Sequence, residues 1–158
     1  MENQQAPPSE LFYNLKPLST NKIPSLVTID SSVSSHPWKP DQFTEVCTVN
    51  GTHGIIAEKP EGCIVGFVLG RSVADEFEIT KIAVAEACKR KGIGSRLIKA
   101  IIKQASSSGA AHIYLEVGSK NTAAIKLYEK NGFYTQYTRK KYFTNNSDDA
   151  LVMSLKLR

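Results

Sequence analysis

Apolar residues recur along this chain in two rhythms. From Phe77 to Val84 the segment FEITKIAV alternates and is rich in β-branched residues, which predicts a strand. From Ile93 the rhythm lengthens. Ile93, Leu97, Ile98, Ile101 and Ala105 recur at helical spacing, while Arg96, Lys99 and Lys103 form a polar stripe. His112 to Val117 (HIYLEV) returns to the strand pattern. Asn121 then opens a second helical run, with Ala124, Ile125 and Tyr128 on one face. Asn121 suits an N-cap, and Asn131-Gly132 is the expected stop. A further strand follows.

The N-terminal half reads similarly. Phe12 to Pro17 is a first strand. Ser19-Thr20-Asn21 offers caps for a helix carrying Ile23, Leu26, Val27 and Ile29, with Pro24 tolerated in its first turn. A short helix is expected around Pro40 to Val46. Ile55–Lys59 and Cys63–Arg71 form a hairpin across Pro60-Glu61-Gly62. Antiparallel strands interleaved with helices predict an α/β sandwich.

With 158 residues, 41% of them hydrophobic, the chain is long enough for one domain with a real core. Residues 1 to about 10, with Pro7-Pro8, are expected to form a disordered tail, leaving residues 11–158 as the folded domain. No stretch reads as a membrane span, and the first residues do not read as a signal peptide. Cys47, Cys63 and Cys88 are an odd number without metal-like spacing. They read as reduced and mostly structural, which suggests a cytoplasmic protein without a metal.

The segment from Lys89 to Ser95, KRKGIGS, carries the first candidate chemistry. The first N–H groups of a helix lack intrahelical partners and favour an anion. Gly92 and Gly94 allow close approach of a ligand and positive φ where needed, and Lys89, Arg90 and Lys91 add positive charge. Read alone, the segment fits a pyrophosphate site and a plain basic turn equally well. The net charge of +5 admits a nucleic-acid partner. Against it, Lys89–Lys91 are accounted for by phosphates, and Arg139–Lys141 read as solvated charge at the end of a strand without aromatic interleaving. No nucleic acid is therefore expected.

The order of elements and the motifs on them resemble the GNAT acetyltransferase family. Its signature is [Q/R]-x-x-G-x-[G/A] after a strand, followed by N-x-x-A-x-x-L-Y-x-x-x-G-F. This chain has KRKGIG from Lys89 to Gly94 and NTAAIKLYEKNGF from Asn121 to Phe133. Lys89 stands where Gln or Arg is usual. Within the family, the chain is most similar to the bacterial ribosomal-protein alanine N-acetyltransferases. The points of likeness are HPW at His36–Trp38, IAV at Ile82–Val84, LEV with Glu116, and TRKKYF followed by DDALVM up to Met153.

The resemblance implies a mixed, mostly antiparallel sheet with helices on both faces. Its strands at Ile82 and Glu116 should splay apart to hold acetyl-CoA. It also implies roles. Ile82, Ala83 and Val84 would offer strand backbone to the pantetheine amides. Arg90, Lys91, Gly92, Ile93, Gly94 and Ser95 would hold the pyrophosphate, and Asn121 would contact the pantetheine arm. Glu116, which by itself also fits a surface carboxylate on a half-exposed strand, would be the general base. Tyr128, which by itself also fits a core residue, would donate a proton to the departing sulfur. A phenol near pKa 10 and a thiol near roughly 8.5 are close enough for that exchange.

Tyr142 and Phe143 would belong to the loop that covers a peptide. His36 reads as structural or acceptor-facing, and Cys88 has no paired base in the sequence. The expected acceptor is a protein N-terminus starting with Ala or Ser, whose α-amine of pKa about 8 is easier to deprotonate than a lysine of about 10.4. A lysine or small-amine acceptor remains open, as does a non-catalytic acetyl-CoA-binding regulator. Either a monomer or a dimer fits.

Overall fold

The structure is a computed structural model. It describes residues 12–143 and 148–158, with the side chains of residues 141–143 outside the description. The expected disordered tail over residues 1–10 and the roles of the Tyr142 and Phe143 side chains lie outside the described residues.

Among the described residues seven strands form one sheet: β1 (Asn14–Pro17), β2 (Thr52–Glu58), β3 (Ile64–Val73), β4 (Glu76–Val84), β5 (His112–Gly118), β6 (Tyr134–Phe143) and β7 (Asp148–Lys156). Their spatial order is β1-β2-β3-β4-β5-β7-β6. All neighbours are antiparallel except β4 and β5. The described residues also form four α-helices: α1 (Ile23–Val33), α2 (Pro40–Thr48), α3 (Ile93–Ser107) and α4 (Thr122–Lys130). No described helix is long and apolar enough to cross a membrane.

The helices take both faces of the sheet, as the two rhythms of the sequence predict. One core joins the apolar stripe of α3 (Ile93, Leu97, Ile98, Ile101, Ala105) and Tyr128 of α4 to Val65, Val68, Phe77, Ile79, Leu115 and Val117 from the strands. The other joins Leu26 and Ile29 of α1 and Phe43 of α2 to Ile56, Phe67, Leu69 and Ala83. Alternate strand residues therefore feed alternate cores, because successive side chains point to opposite faces.

Two details differ from the sequence reading. Ser19, Thr20 and Asn21 do not cap α1. Thr20–Lys22 forms a 3₁₀ turn leading into the helix, whose N-cap is Lys22 without a side-chain cap bond. Ser19 Oγ instead donates to Asn21 Oδ1 at 2.6 Å, so the local hydroxyl–amide bond takes the group that capping would have used. Second, the sequence reading leaves DDALVMSLK unassigned, yet it is β7 and inserts between β5 and β6.

The relation between β4 and β5 positions everything that follows. Their ladder runs from Glu76↔His112 to Ile79↔Leu115 and stops. Beyond it β4 pairs only with β3, and β5 only with β7, among the described residues. The cause is local. Thr80 is an extra residue on β4, since Leu69 faces Lys81 while Gly70 faces Ile79. A bulge bends its strand and sharpens the twist, so β4 turns away from β5 at the next residue. The expected splay is present, and it begins at a bulge.

Candidate active site

One arm of the splay is β4 from Lys81 to Val84. Ile82 and Val84 lean on the α3 core, whereas Ala83 is buried in the α1–α2 core. Among the described residues, their backbone groups on the side facing β5 have no strand partner. Backbone donors and acceptors need partners, so this edge fits an extended ligand carrying amides.

After β4 the chain makes a short 3₁₀ turn, Glu86–Cys88, and reaches the start of α3. Arg90 and Gly92 both take left-handed backbone conformations, with φ 64° and φ 82°. Gly92 is the N-cap and offers no side chain to the first-turn N–H groups. A Cβ at Gly92 would meet nothing within 4 Å, so the open space belongs to solvent or a ligand. Gly94 serves another purpose. A Cβ there would lie 3.2 Å from Leu127 Cδ2, so Gly94 lets α3 approach α4.

Ile93 is buried in the core and has only its backbone to contribute at this helix start. Ser95 is half-buried and receives Asn131 Nδ2 at 3.4 Å. Lys91 is exposed, whereas Lys89 pairs with Glu86 at 3.0 Å. The positive charge at the loop is thus less concentrated than the run of three cations suggests. Asn121 does cap α4: its Oδ1 accepts from Ala124 N–H at 3.2 Å. Its amide NH₂ remains a donor for other partners.

The other arm of the splay is β5. Leu115 and Val117 are buried in the α3 core, so Glu116 between them points to the opposite face. There it meets Arg139 of β6, Nη1 to Oε1 at 2.6 Å. Arg139 is therefore an ion-pair partner of the candidate base as well as the exposed charge expected from the sequence. Lys140 likewise pairs with Asp149 at 3.6 Å.

Glu116 also lines a groove of about 460 Å³ with Arg71, Glu76, Glu78, Tyr114 and Tyr137. Glu78 is a second carboxylate that the sequence reading missed. Partial burial, and secondarily the Glu116 charge, raise its carboxyl above the ordinary range, while Arg71 works the other way. Neither Glu78 nor Arg139 carries a local sequence signal. They meet Glu116 only because β4 and β6 come to lie on either side of the β5–β7 pair.

Tyr128 sits on the far side of the sheet from Glu116. It is 5% exposed and packs edge-on to Phe133, with ring centroids 6.0 Å apart. Its hydroxyl makes no hydrogen bond to protein among the described residues. Burial pushes the phenol well above its ordinary value. The near match between phenol and thiol expected from ordinary values is lost, because a buried phenolate lacks solvation. The Tyr128 proton is instead held firmly across the whole physiological range.

Among the cysteines, Cys47 and Cys88 are half-buried and Cys63 is exposed; all are free thiols. Burial raises the Cys47 thiol, which makes it unreactive. Among the described residues no three His, Cys, Asp or Glu side chains cluster as metal ligands do.

A parallel strand pair opened by a bulge, followed by an uncapped, glycine-led helix start, is a framework that fits an extended amide chain ending in phosphates. The acetyltransferase (GNAT) family model matches residues 23–133, and the chain belongs to that family. It is an acetyl-CoA-dependent N-acetyltransferase. It is 29% identical over 140 residues to the [ribosomal protein bS18]-alanine N-acetyltransferase of Escherichia coli (strain K12), covering 87% of this chain and 93% of that one. It is 31% identical over 125 residues to the N-alpha-acetyltransferase RimI of Mycobacterium tuberculosis, covering 77% of each. The crystal structure of the ribosomal-protein-S18-alanine N-acetyltransferase from Escherichia coli superposes with a TM-score of 0.85 at 28% identity, covering 92% of this chain and 94% of that one.

Proposed function

We propose that this enzyme acetylates the N-terminal α-amine of a protein, one that starts with Ala or Ser as a ribosomal protein does. Glu116 would act as base and Tyr128 as acid. One observation carries the reading: Glu116 and Tyr128 lie on opposite faces of the sheet, and the splay that starts at Ile79 and Leu115 is the opening between them. An acceptor lying in the groove on the Glu116 face would meet a donor held from the α3–α4 face. The amine would add to one face of the planar thioester carbonyl and the thiolate would then leave from the tetrahedral intermediate, so that base and acid can act from different sides of the sheet.

Acetyl-CoA supplies an activated thioester when bound. The free edge of Ile82–Val84 would hold its amides. The N–H groups from Gly92 to Ser95, with Arg90 and Lys91, would hold its phosphates. Asn121 has a spare amide donor for the arm. Glu116 would take the proton of the attacking amine, directly or through a water, and Arg139 would hold the carboxylate in place meanwhile. Tyr128, kept protonated by burial, would place its unpartnered O–H at the sulfur as negative charge develops there. Glu78 is a second candidate for the base, because its raised carboxyl accepts a proton more readily.

The relative from Escherichia coli is a [ribosomal protein bS18]-alanine N-acetyltransferase and that from Mycobacterium tuberculosis an N-alpha-acetyltransferase, and both support the choice of acceptor and a place in the cytoplasm. The ion pairs of Lys89, Arg139 and Lys140 count against a nucleic-acid stripe. A competition assay tests the acceptor. An Ala-starting peptide and the same peptide N-blocked with an internal Lys are offered together with labelled acetyl-CoA. Label on the free N-terminus supports the reading, and faster labelling of the blocked peptide refutes it.

A further inference from the structure

The groove beside Glu116 extends past the splay, down the face of the β4–β5 pair toward the N-terminal ends of both strands. Cross-strand partners share a face, so the register gives the order of its side chains. Glu116 lies at the mouth of the splay, Glu78 is opposite Tyr114, and Glu76 is opposite His112. Two residues along a strand cover about 7 Å, so carboxylates stand at three successive levels of the groove. Among the described residues neither Glu76 nor Glu78 makes an ion pair. Arg71, the cross-strand partner of Glu78, is the one cation in the lining among those residues. A chain of net charge +5 thus gathers negative charge where the acceptor is placed.

The remaining wall is aromatic. Tyr137 of β6 lines the groove and is 56% exposed. Beside it, Tyr134, Ser154 and Tyr114 form one cross-strand row over β6, β7 and β5. Ser154 points to the groove face, because it is in register with Tyr114 while its neighbour Met153 is buried in the α3 core. It is 1% exposed, and its hydroxyl has no hydrogen-bond partner among the described residues. Buried hydroxyls nearly always have partners, so this one marks a floor that a hydrogen bond from outside the fold would complete. Tyrosine faces attract cations, and carboxylates bind ammonium and guanidinium groups by charge-assisted hydrogen bonds. The aromatic wall also suits the apolar stem of a lysine or arginine.

We propose that Glu76 and Glu78, with Tyr114 and Tyr137, bind lysine or arginine side chains that follow the acetylated residue, so that the enzyme selects amino termini by the basic residues behind them. An extended chain advances about 3.3 Å per residue, so an amine at Glu116 brings its third residue level with Glu78 and its fifth level with Glu76. The proposal rests on the reading that the acceptor amine meets Glu116.

The test uses the full chain and Ala-starting peptides that carry Arg, Ala or Glu at residues three and five. In the wild type, kcat/KM should be roughly tenfold higher for Arg than for Ala, and lowest for Glu. The difference should sit in the Michaelis constant with kcat unchanged, since these contacts lie away from the reacting atoms. It should shrink at high salt. Glu76 is exposed and outside the proposed catalytic groups, so Glu76→Lys reverses the charge at the far level without burying it. That variant should keep its kcat on the Ala peptide and invert the order of peptides differing only by Arg or Glu at residue five.

Equal kcat/KM for the three wild-type peptides overturns the proposal, and so does an order that Glu76→Lys leaves unchanged. Faster turnover of spermidine than of any peptide also overturns it, because the carboxylates would then serve a small polyamine. If the wild type prefers an N-blocked peptide with an internal lysine, the α-amine reading fails by itself. The Arg, Ala and Glu series is then placed after that lysine, and the same outcomes decide.

Discussion

Arg139 reaches across β7 to hold Glu116, guanidinium Nη1 to carboxylate Oε1 at 2.6 Å. The two residues belong to strands that do not pair with each other, because β7 lies between β5 and β6. The pair is partly exposed, so its worth for folding is small, typically under about 1 kcal/mol. In the proposed mechanism its part is to orient the carboxylate. Arg139→Gln should therefore lower kcat by about tenfold while the melting temperature changes little. An unchanged kcat would leave Arg139 as ordinary surface charge.

Glu116→Gln should keep the shape of the site and lose the proposed base. An α-amine of pKa about 8 is already roughly a tenth neutral at pH 7, so residual activity is expected. The variant should recover as pH rises through the amine's own pKa, while the wild type levels off earlier. A lysine acceptor would not recover until well above pH 9 or so. Superimposable pH–rate profiles for variant and wild type would transfer the role of base to Glu78 or to water.

Tyr128→Phe deletes a hydroxyl that has no protein partner among the described residues, so stability should hardly change. Turnover should fall by about 10²–10⁴, the usual contribution of a positioned acid, with little change in acetyl-CoA affinity. Single-turnover measurements at saturating acetyl-CoA check this, because they separate chemistry from product release.

Gly92 and Gly94 should respond differently to alanine. At Gly92, φ is 82° and the space beyond is open, so Gly92→Ala costs backbone strain of about 1 kcal/mol. Gly92→Asp adds negative charge at the helix start and should weaken coenzyme A binding in a folded protein. Gly94→Ala instead presses on Leu127 at 3.2 Å and should displace α4, which carries Tyr128. Calorimetric titration of coenzyme A separates the two. Affinity should fall strongly in Gly92→Asp, whereas kcat should suffer more than affinity in Gly94→Ala.

Glu78→Gln should stabilise the fold at neutral pH. The folded state raises this carboxyl above its unfolded value, so the ionised form is disfavoured by folding. Between the two values the folded protein binds more protons than the unfolded one, and stability falls as pH rises. The penalty is fully present above the folded pKa and vanishes below the unfolded value of about 4.3. Melting temperatures of variant and wild type should therefore converge as pH drops through 5 toward about 4. A gap that persists or widens on acidification would contradict the assignment.

Much of this protein was legible before any coordinates. The 3.6-residue stripe of α3, the alternation of β4 and β5, the Asn121 cap and the Asn131-Gly132 stop are local patterns, because helix and strand periodicity act over neighbouring residues. The glycine-led helix start could be found for the same reason. Gly92 and its neighbours make a site out of contiguous backbone. What only the tertiary structure decided was the company kept by single side chains. The charge run at Arg139 read only as solvated surface; β7, inserted between β5 and β6, also set it against Glu116. Glu78 was one polar residue in an alternating strand until the parallel pairing of β4 with β5 put it near that carboxylate. The buried state of Tyr128, and with it the upward shift of its phenol, came from the closing of α3 and α4 over the sheet. Lys81 looked like one more strand lysine until a single extra residue, Thr80, turned it toward Asp30 of α1, Nζ to Oδ1 at 2.9 Å. Such contacts join residues about twenty to fifty positions apart, and no local preference encodes them: they follow from strand order and register, which the whole core sets at once.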